Sequence, residues 1–268
     1  MKHLIALLII LSIASKAALA SVSIMNGLSH MYNGNSGDVI QGQVVLVNTS
    51  DQSQRVKFEL NEALFSCTSG RVFTEKSTHV QSSSTWFEGE VMEKVLSPRE
   101  KYVYRFTIRI PEDPSLRGSY WTALMVSVEK PIREEIMNNG IGLNTKVRYA
   151  VGLLTNVNEF DEVTLDFEEV DLDTDSPKYK NELGIKIRNN GIFIEGVALV
   201  LEVYNDAGKR VAVFETDRNM VFPGVCKTYS LDISSLPAGK YECLLLADAR
   251  EEFTGTNLSL QLDSSIEL

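Results

Sequence analysis

The stretch "YVYRFTIRI", residues 102–110, sets the tightest limit on what this chain can fold into. Tyr102, Tyr104, Phe106, Ile108 and Ile110 recur at every second position, with Arg105, Thr107 and Arg109 between them. Successive side chains of a strand point to opposite faces, so this pattern describes a strand with one buried and one wet face. "VKFEL" at 56–60, "LGIKIRNN" at 183–190 and "LSLQL" at 258–262 repeat the pattern. Between them stand turn clusters: "NTSD" at 48–51, "SPRE" at 97–100, "PEDP" at 111–114, "NNG" at 189–191 and "NDAG" at 205–208. Short half-buried strands punctuated by turn chemistry predict an all-β sandwich protein. Beyond the N-terminus no segment has helical periodicity, although "PIREEIMNNG" at 131–140 has room for one turn.

Residues 1–20 read as a cleaved signal peptide: Lys2, the apolar run Leu4–Ala14, then the small-residue site Ala18-Leu19-Ala20. No later apolar run has spanning length, so the mature chain is expected to be exported without a membrane span. The 268-residue chain, less its signal, is long for one sandwich and natural for two. An excess of 36 acidic over 26 basic residues, net −10, repels nucleic acid, whose binding depends on neutralising phosphates. Three cysteines, Cys67, Cys226 and Cys243, allow at most one bridge, so a hydrophobic core must carry the fold.

The halves share a plan. Ser97-Pro98, a strand, a turn and Gly118-Ser119-Tyr120 in the first half match Pro223-Gly224, a strand, "LPAG" and Gly239-Lys240-Tyr241 in the second. Two tandem immunoglobulin-like β-sandwiches are therefore expected, residues 21–157 and 158–268. Tyr241, two residues before Cys243, has the placement of a tyrosine corner, in which the phenol bonds back across the preceding turn. Cys243 reads as a small buried hydrophobe; the alternative is a Cys226–Cys243 bridge.

"GQVVLVNTSDQSQRVKFEL", "LSPREKYVYRFTIRIPEDPSLRGSYW" and "RYAVGLL", with "IRNNGIFIEGVALVLEVYNDAGKRVAVF" and "FPGVCKTYSLDISSLPAGKYE" later, resemble bacterial two-domain immunoglobulin-like surface proteins of the WxL-interacting family. A more distant likeness is to periplasmic pilus chaperones. The resemblance implies a periplasmic or surface protein that binds an envelope protein or peptidoglycan, with no catalysis and no required cofactor. A pilus-type chaperone would need a basic pair in its interdomain cleft, and "SVSIMNGLSHMYNG", residues 21–34, has neither Arg nor Lys. A cell-wall glycan hydrolase is the competing enzymatic reading, but no pair of carboxylates stands out for it. Cys67 with His79 is the sole pairing that suggests a nucleophile and base, and an unrelated thiol and imidazole account for it as well.

Three segments are candidate sites. In "GSYWTALMVSV", residues 118–128, Tyr120, Leu124, Val126 and Val128 share the expected core face, leaving Trp121, Ala123 and Met125 opposite. That second face is covered either by the second domain or the 129–145 loop, or by a partner anchored on Trp121 and Met125. Trp86 and Phe87, behind a Ser/Thr-rich loop, are further partner-binding candidates. Asp171, Asp173, Asp175 and Glu182 stand at positions 1, 3, 5 and 12 of a calcium-loop pattern, against the plainer reading of a solvated acidic turn.

Overall fold

Alternation becomes strand throughout the computed structural model, which describes residues 21–68, 70–76, 78–129, 146–174 and 176–262. The one helical element among them is a 3-10 turn at Ser84–Trp86. The signal segment, most of the 129–145 loop with "PIREEIMNNG", and Asp175 lie outside the described residues.

The first half holds ten strands in chain order: β1 (Val22–Ile24), β2 (Ser29–Gly34), β3 (Val39–Asn48), β4 (Gln54–Ser66), β5 (Gly70–Thr74), β6 (Phe87–Glu88), β7 (Glu93–Leu96), β8 (Lys101–Arg109), β9 (Gly118–Glu129) and β10 (Val147–Val157). One sheet runs β1-β3-β8-β6; the other runs β2-β10-β9-β4-β5, with β7 also on β4. The second half follows with β11 (Leu165–Asp173), β12 (Glu182–Asn189), β13 (Glu195–Tyr204), β14 (Arg210–Glu215), β15 (Asn219–Val221), β16 (Cys226–Asp232), β17 (Gly239–Ala249) and β18 (Glu252–Leu262). Its sheets run β11-β12-β16 and β14-β13-β17-β18, with β15 on β13. These orders are those of immunoglobulin-like sandwiches, and the protein is all-β with two of them in tandem. Each half has its own apolar core. Leu46, Phe58, Tyr104 and Leu124 are at the centre of the first, and Ile185, Leu199, Leu231 and Leu245 at the centre of the second.

The shared plan extends to two positions that alternation does not single out. β3 and β12 occupy the same place in their sandwiches, and each ends in a fully buried asparagine. Asn48 Nδ2 donates to the carbonyls of Gln52 and Ser97 at 2.7 and 2.9 Å, and its Oδ1 accepts the Ser50 N–H. Asn189 Nδ2 donates to Phe193 and Val221 at 2.7 and 2.9 Å, and its Oδ1 accepts the Gly191 N–H. A side-chain amide that ties down an irregular turn satisfies carbonyls that would otherwise be buried without partners.

Each half also carries a tyrosine at the start of its equivalent strand. The Tyr241 hydroxyl donates to the Pro237 carbonyl at 3.0 Å, and the Tyr120 hydroxyl reaches the Arg117 carbonyl at 3.4 Å. Tyr241→Phe is expected to lower stability by about 0.5–1.5 kcal/mol, since the largely buried phenol loses its hydrogen bond across the turn. A urea midpoint equal to that of the parent protein would contradict this.

Candidate functional site

β9 is apolar on both faces because two different layers cover it. Leu124, Val126 and Val128 enter the first core, while Trp121, Ala123 and Met125 turn outward into a separate apolar cluster with Ala63 and Leu154 of the first half and Ile194 and Phe222 of the second. Trp121 is 5% exposed and Met125 3%, so neither forms an open partner-binding patch. The second sandwich contributes to their cover, with Phe222 against Trp121. The indole Nε1 donates to the Ala63 carbonyl at 2.7 Å, and the ring packs edge-on to Phe222 at 5.0 Å. Trp86 and Phe87 are likewise not a free surface. Trp86 is 6% exposed against Tyr120, and the half-buried Phe87 stacks on Phe106. A 3-10 turn and a two-residue strand fold both rings onto the sandwich edge.

The halves meet with close backbone contact. Gly118 sits at φ 113°, and a Cβ there would lie 2.6 Å from the Ile192 carbonyl oxygen. Only glycine tolerates both conditions. Next to it, Ser119 N–H donates to Ile192 at 2.9 Å and Ser119 Oγ accepts the Ile194 N–H at 2.7 Å.

A disulfide joins Cys67, in the β4–β5 turn, to Cys226 at the start of β16. The alternative Cys226–Cys243 pairing is thereby replaced. Cys243 points from β17 into the second core, where burial pushes its thiol up to about 11. With Cys67 oxidised, the suggested Cys67–His79 pair has no thiol. His79 instead stacks on Trp121 at 4.6 Å, with its Nε2 3.3 Å from Glu62 Oε2. Burial lowers the imidazole below its ordinary value of 6.5, and the Glu62 charge opposes that shift.

Beside the interface is a cleft of about 530 Å³. Trp121, Ala123 and Leu154 form its floor. Phe65 and Phe73 stand on one wall and Phe222 on the other, with Arg71 and Arg148 also lining it. Phe65 and Phe222 stack across the halves at 3.8 Å. The Arg71 guanidinium lies 5.2 Å from the centre of the Phe73 ring, and Arg148 is 3.7 Å from Glu59. The cleft also opens beside a bare strand edge. β2 pairs in parallel only with Gly152–Val157 of β10. Among the described residues, Val147–Val151 pair with β9 alone, and their other edge carries no strand. Arg148 belongs to that uncovered half.

Three of the four acidic candidates are placed, Asp175 lying outside the described residues. Asp171 and Asp173 are alternate residues of β11, and Asp173 lies directly across from Glu182 on β12. The Glu182 carboxylate accepts hydrogen bonds from the hydroxyls of Ser176 and Ser230, which hold its proton affinity below the usual range. Among the described residues no group of three His, Cys, Asp or Glu side chains is gathered to hold a metal ion.

Sequence reasoning missed Arg71, Arg148, Phe65 and Phe222. Each looks like an ordinary member of an alternating strand or turn, and only the tertiary fold brings them together.

No family model and no curated protein matches the chain, so the resemblance to the WxL-interacting family finds no support. Solved structures similar to it include the Salmonella enterica SafA pilin in complex with the SafB chaperone, at 13% identity and TM-score 0.47, covering 92% of this chain and 98% of that one. The class 5 fimbriae chaperone CfaA is similar at 11% identity and TM-score 0.48, covering 91% and 100%. The E. coli chaperone DraB is similar at 14% identity and TM-score 0.43, covering 91% and 97%.

Proposed function

We propose that this chain is an exported, non-catalytic binding protein that holds an extended apolar segment of an envelope protein, as a periplasmic assembly chaperone does. The segment pairs with the uncovered half of β10 and ends in the cleft, its terminal carboxylate set against Arg71 and Arg148. One observation carries this reading: the edge of Val147–Val151, bare among the described residues, runs into an apolar cleft lined by two arginines. Main-chain groups on an open edge bind an added strand whatever its sequence, and pockets for its side chains supply selectivity. Guanidinium groups suit a carboxylate because they offer paired donors in one plane. The basic pair absent from residues 21–34 is thus supplied by β5 and β10.

The test uses a ten-residue peptide of alternating apolar residues, made with a free or an amidated C-terminus. Removing one partner of a hydrogen-bonded charge pair costs about 2–5 kcal/mol, so the free acid is expected to bind at least about tenfold tighter. Arg148→Ala and Arg71→Ala should each shrink that difference. Equal binding of both peptides removes the carboxylate from the reading, and binding of neither removes the reading itself.

A further inference from the structure

The wall of the cleft that carries Phe65, Arg71 and Phe73 projects from its sheet. β4 pairs with β9 only over Arg55–Asn61. Beyond Asn61 its strand pairing among the described residues is with β5 alone, Glu62–Ser66 against Gly70–Thr74. β5 is the last strand of that sheet. Residues 62–66 and 70–74 therefore form a two-stranded ribbon, an element that is marginal in water without further support. The base of the ribbon is tethered by the Trp121 indole on Ala63. Its tip is held to the second half by the Phe65–Phe222 stack and by the Cys67–Cys226 bond. Cys67 is exposed, whereas Cys226 is buried.

We propose that the Cys67–Cys226 disulfide is the clasp that assembles the cleft, so that the oxidised chain binds its partner and the dithiol chain does not. This rests on the function proposed above. In the closing direction, the two thiols give up two protons and two electrons to a disulfide-bearing oxidant, which leaves as a dithiol. In the opening direction, a thiolate of an external dithiol attacks the exposed Cys67 sulfur and Cys226 departs as thiolate. The second external thiol then displaces Cys67 and closes the reagent's own disulfide. Opened, the ribbon keeps its pairing with itself but loses its covalent hold on the second half, and Phe65, Phe73 and Arg71 no longer stand at fixed distances from Phe222 and Arg148.

The experiment compares the oxidised protein, the same protein reduced with dithiothreitol, and the Cys67→Ser/Cys226→Ser variant. Hydrogen exchange across residues 62–74 reads the ribbon, and binding of the free-acid peptide reads the cleft. Exchange in β3 and β8, which lie in the other sheet, checks that the first sandwich stays folded. Faster exchange confined to the ribbon, with at least tenfold weaker peptide binding in both reduced and variant forms, is the expected result. Unchanged exchange in the ribbon, or lost protection in β3 and β8 as well, overturns the clasp. Equal peptide affinity in all three forms overturns it too. A loosened ribbon with no peptide bound by any form keeps the clasp and removes the binding function it was meant to serve.

Discussion

Trp121→Ala is expected to lower the stability of the protein by about 3–5 kcal/mol, the range for truncating a buried aromatic ring. The ring is almost fully enclosed, so its removal leaves a void between the sandwiches. The lost indole N–H also strands the buried Ala63 carbonyl, and the stacked His79 loses the surface it lies on. Urea unfolding provides the measurement. The damage should concentrate at the junction between the halves, so the transition should also broaden as they cease to unfold together. A variant of unchanged midpoint would mean that this face is open in solution, contrary to the packing described above.

Arg250→Ala should be of similar size, with a dependence on pH. Glu195 is 2% exposed, and Arg250 Nε and Nη2 donate to its two oxygens at 2.8 Å each. The same guanidinium donates to the Asp161 carbonyl at 2.8 Å and lies 4.8 Å from the centre of the Phe160 ring. One side chain thus anchors the segment that joins the two sandwiches. Removing it leaves an uncompensated buried carboxylate, which costs about 3–5 kcal/mol. Burial already raises the Glu195 carboxyl above its ordinary 4.5, with Arg250 pulling the other way. A carboxyl raised in the folded state stabilises below its unfolded value, and that contribution is lost as pH rises through the folded value. Without Arg250 the rise is larger. The deficit of the variant should therefore be widest at neutral pH and narrow as pH falls toward 4.5. Glu195→Gln in the Arg250→Ala background should recover much of it. A deficit that is flat with pH would exclude the buried charge as its cause.

How much of this was legible in the sequence depends on the distance over which the information acts. The alternation of residues 102–110 is local and became β8 with Tyr104, Phe106 and Ile108 buried. The two apolar faces of residues 118–128 were equally plain, but alternation cannot say whether a neighbouring domain or another molecule covers the second face. The calcium pattern shows a local signal with two meanings. Spacing of 1, 3 and 5 in a loop is also the spacing of one face of a strand, and Asp171 and Asp173 are alternate exposed residues of β11. Disulfide pairing and the cleft were beyond reach. Cys67 and Cys226 are separated by 159 positions, and the two arginines come from strands that meet only through the tertiary fold.

The parallel pairing of β2 with β10 governs when the first sandwich is able to close. Asn33 and Asn156, hydrogen-bonded side chain to side chain across that pair, are 123 residues apart. Just beyond, the Tyr149 hydroxyl donates to the Val22 carbonyl at 2.6 Å, tying β10 to the strand that precedes β2. The loop-closure entropy of such contacts must be met before they return any stabilisation, which places this topology among slow, millisecond-to-second folders. During synthesis, the first strands emerge well before β10. Until residue 157 has followed, β2 has no strand partner among the described residues, although β1 is already able to pair with β3. The first half of this protein therefore completes its fold by joining its two ends, and only after nearly all of it has been made.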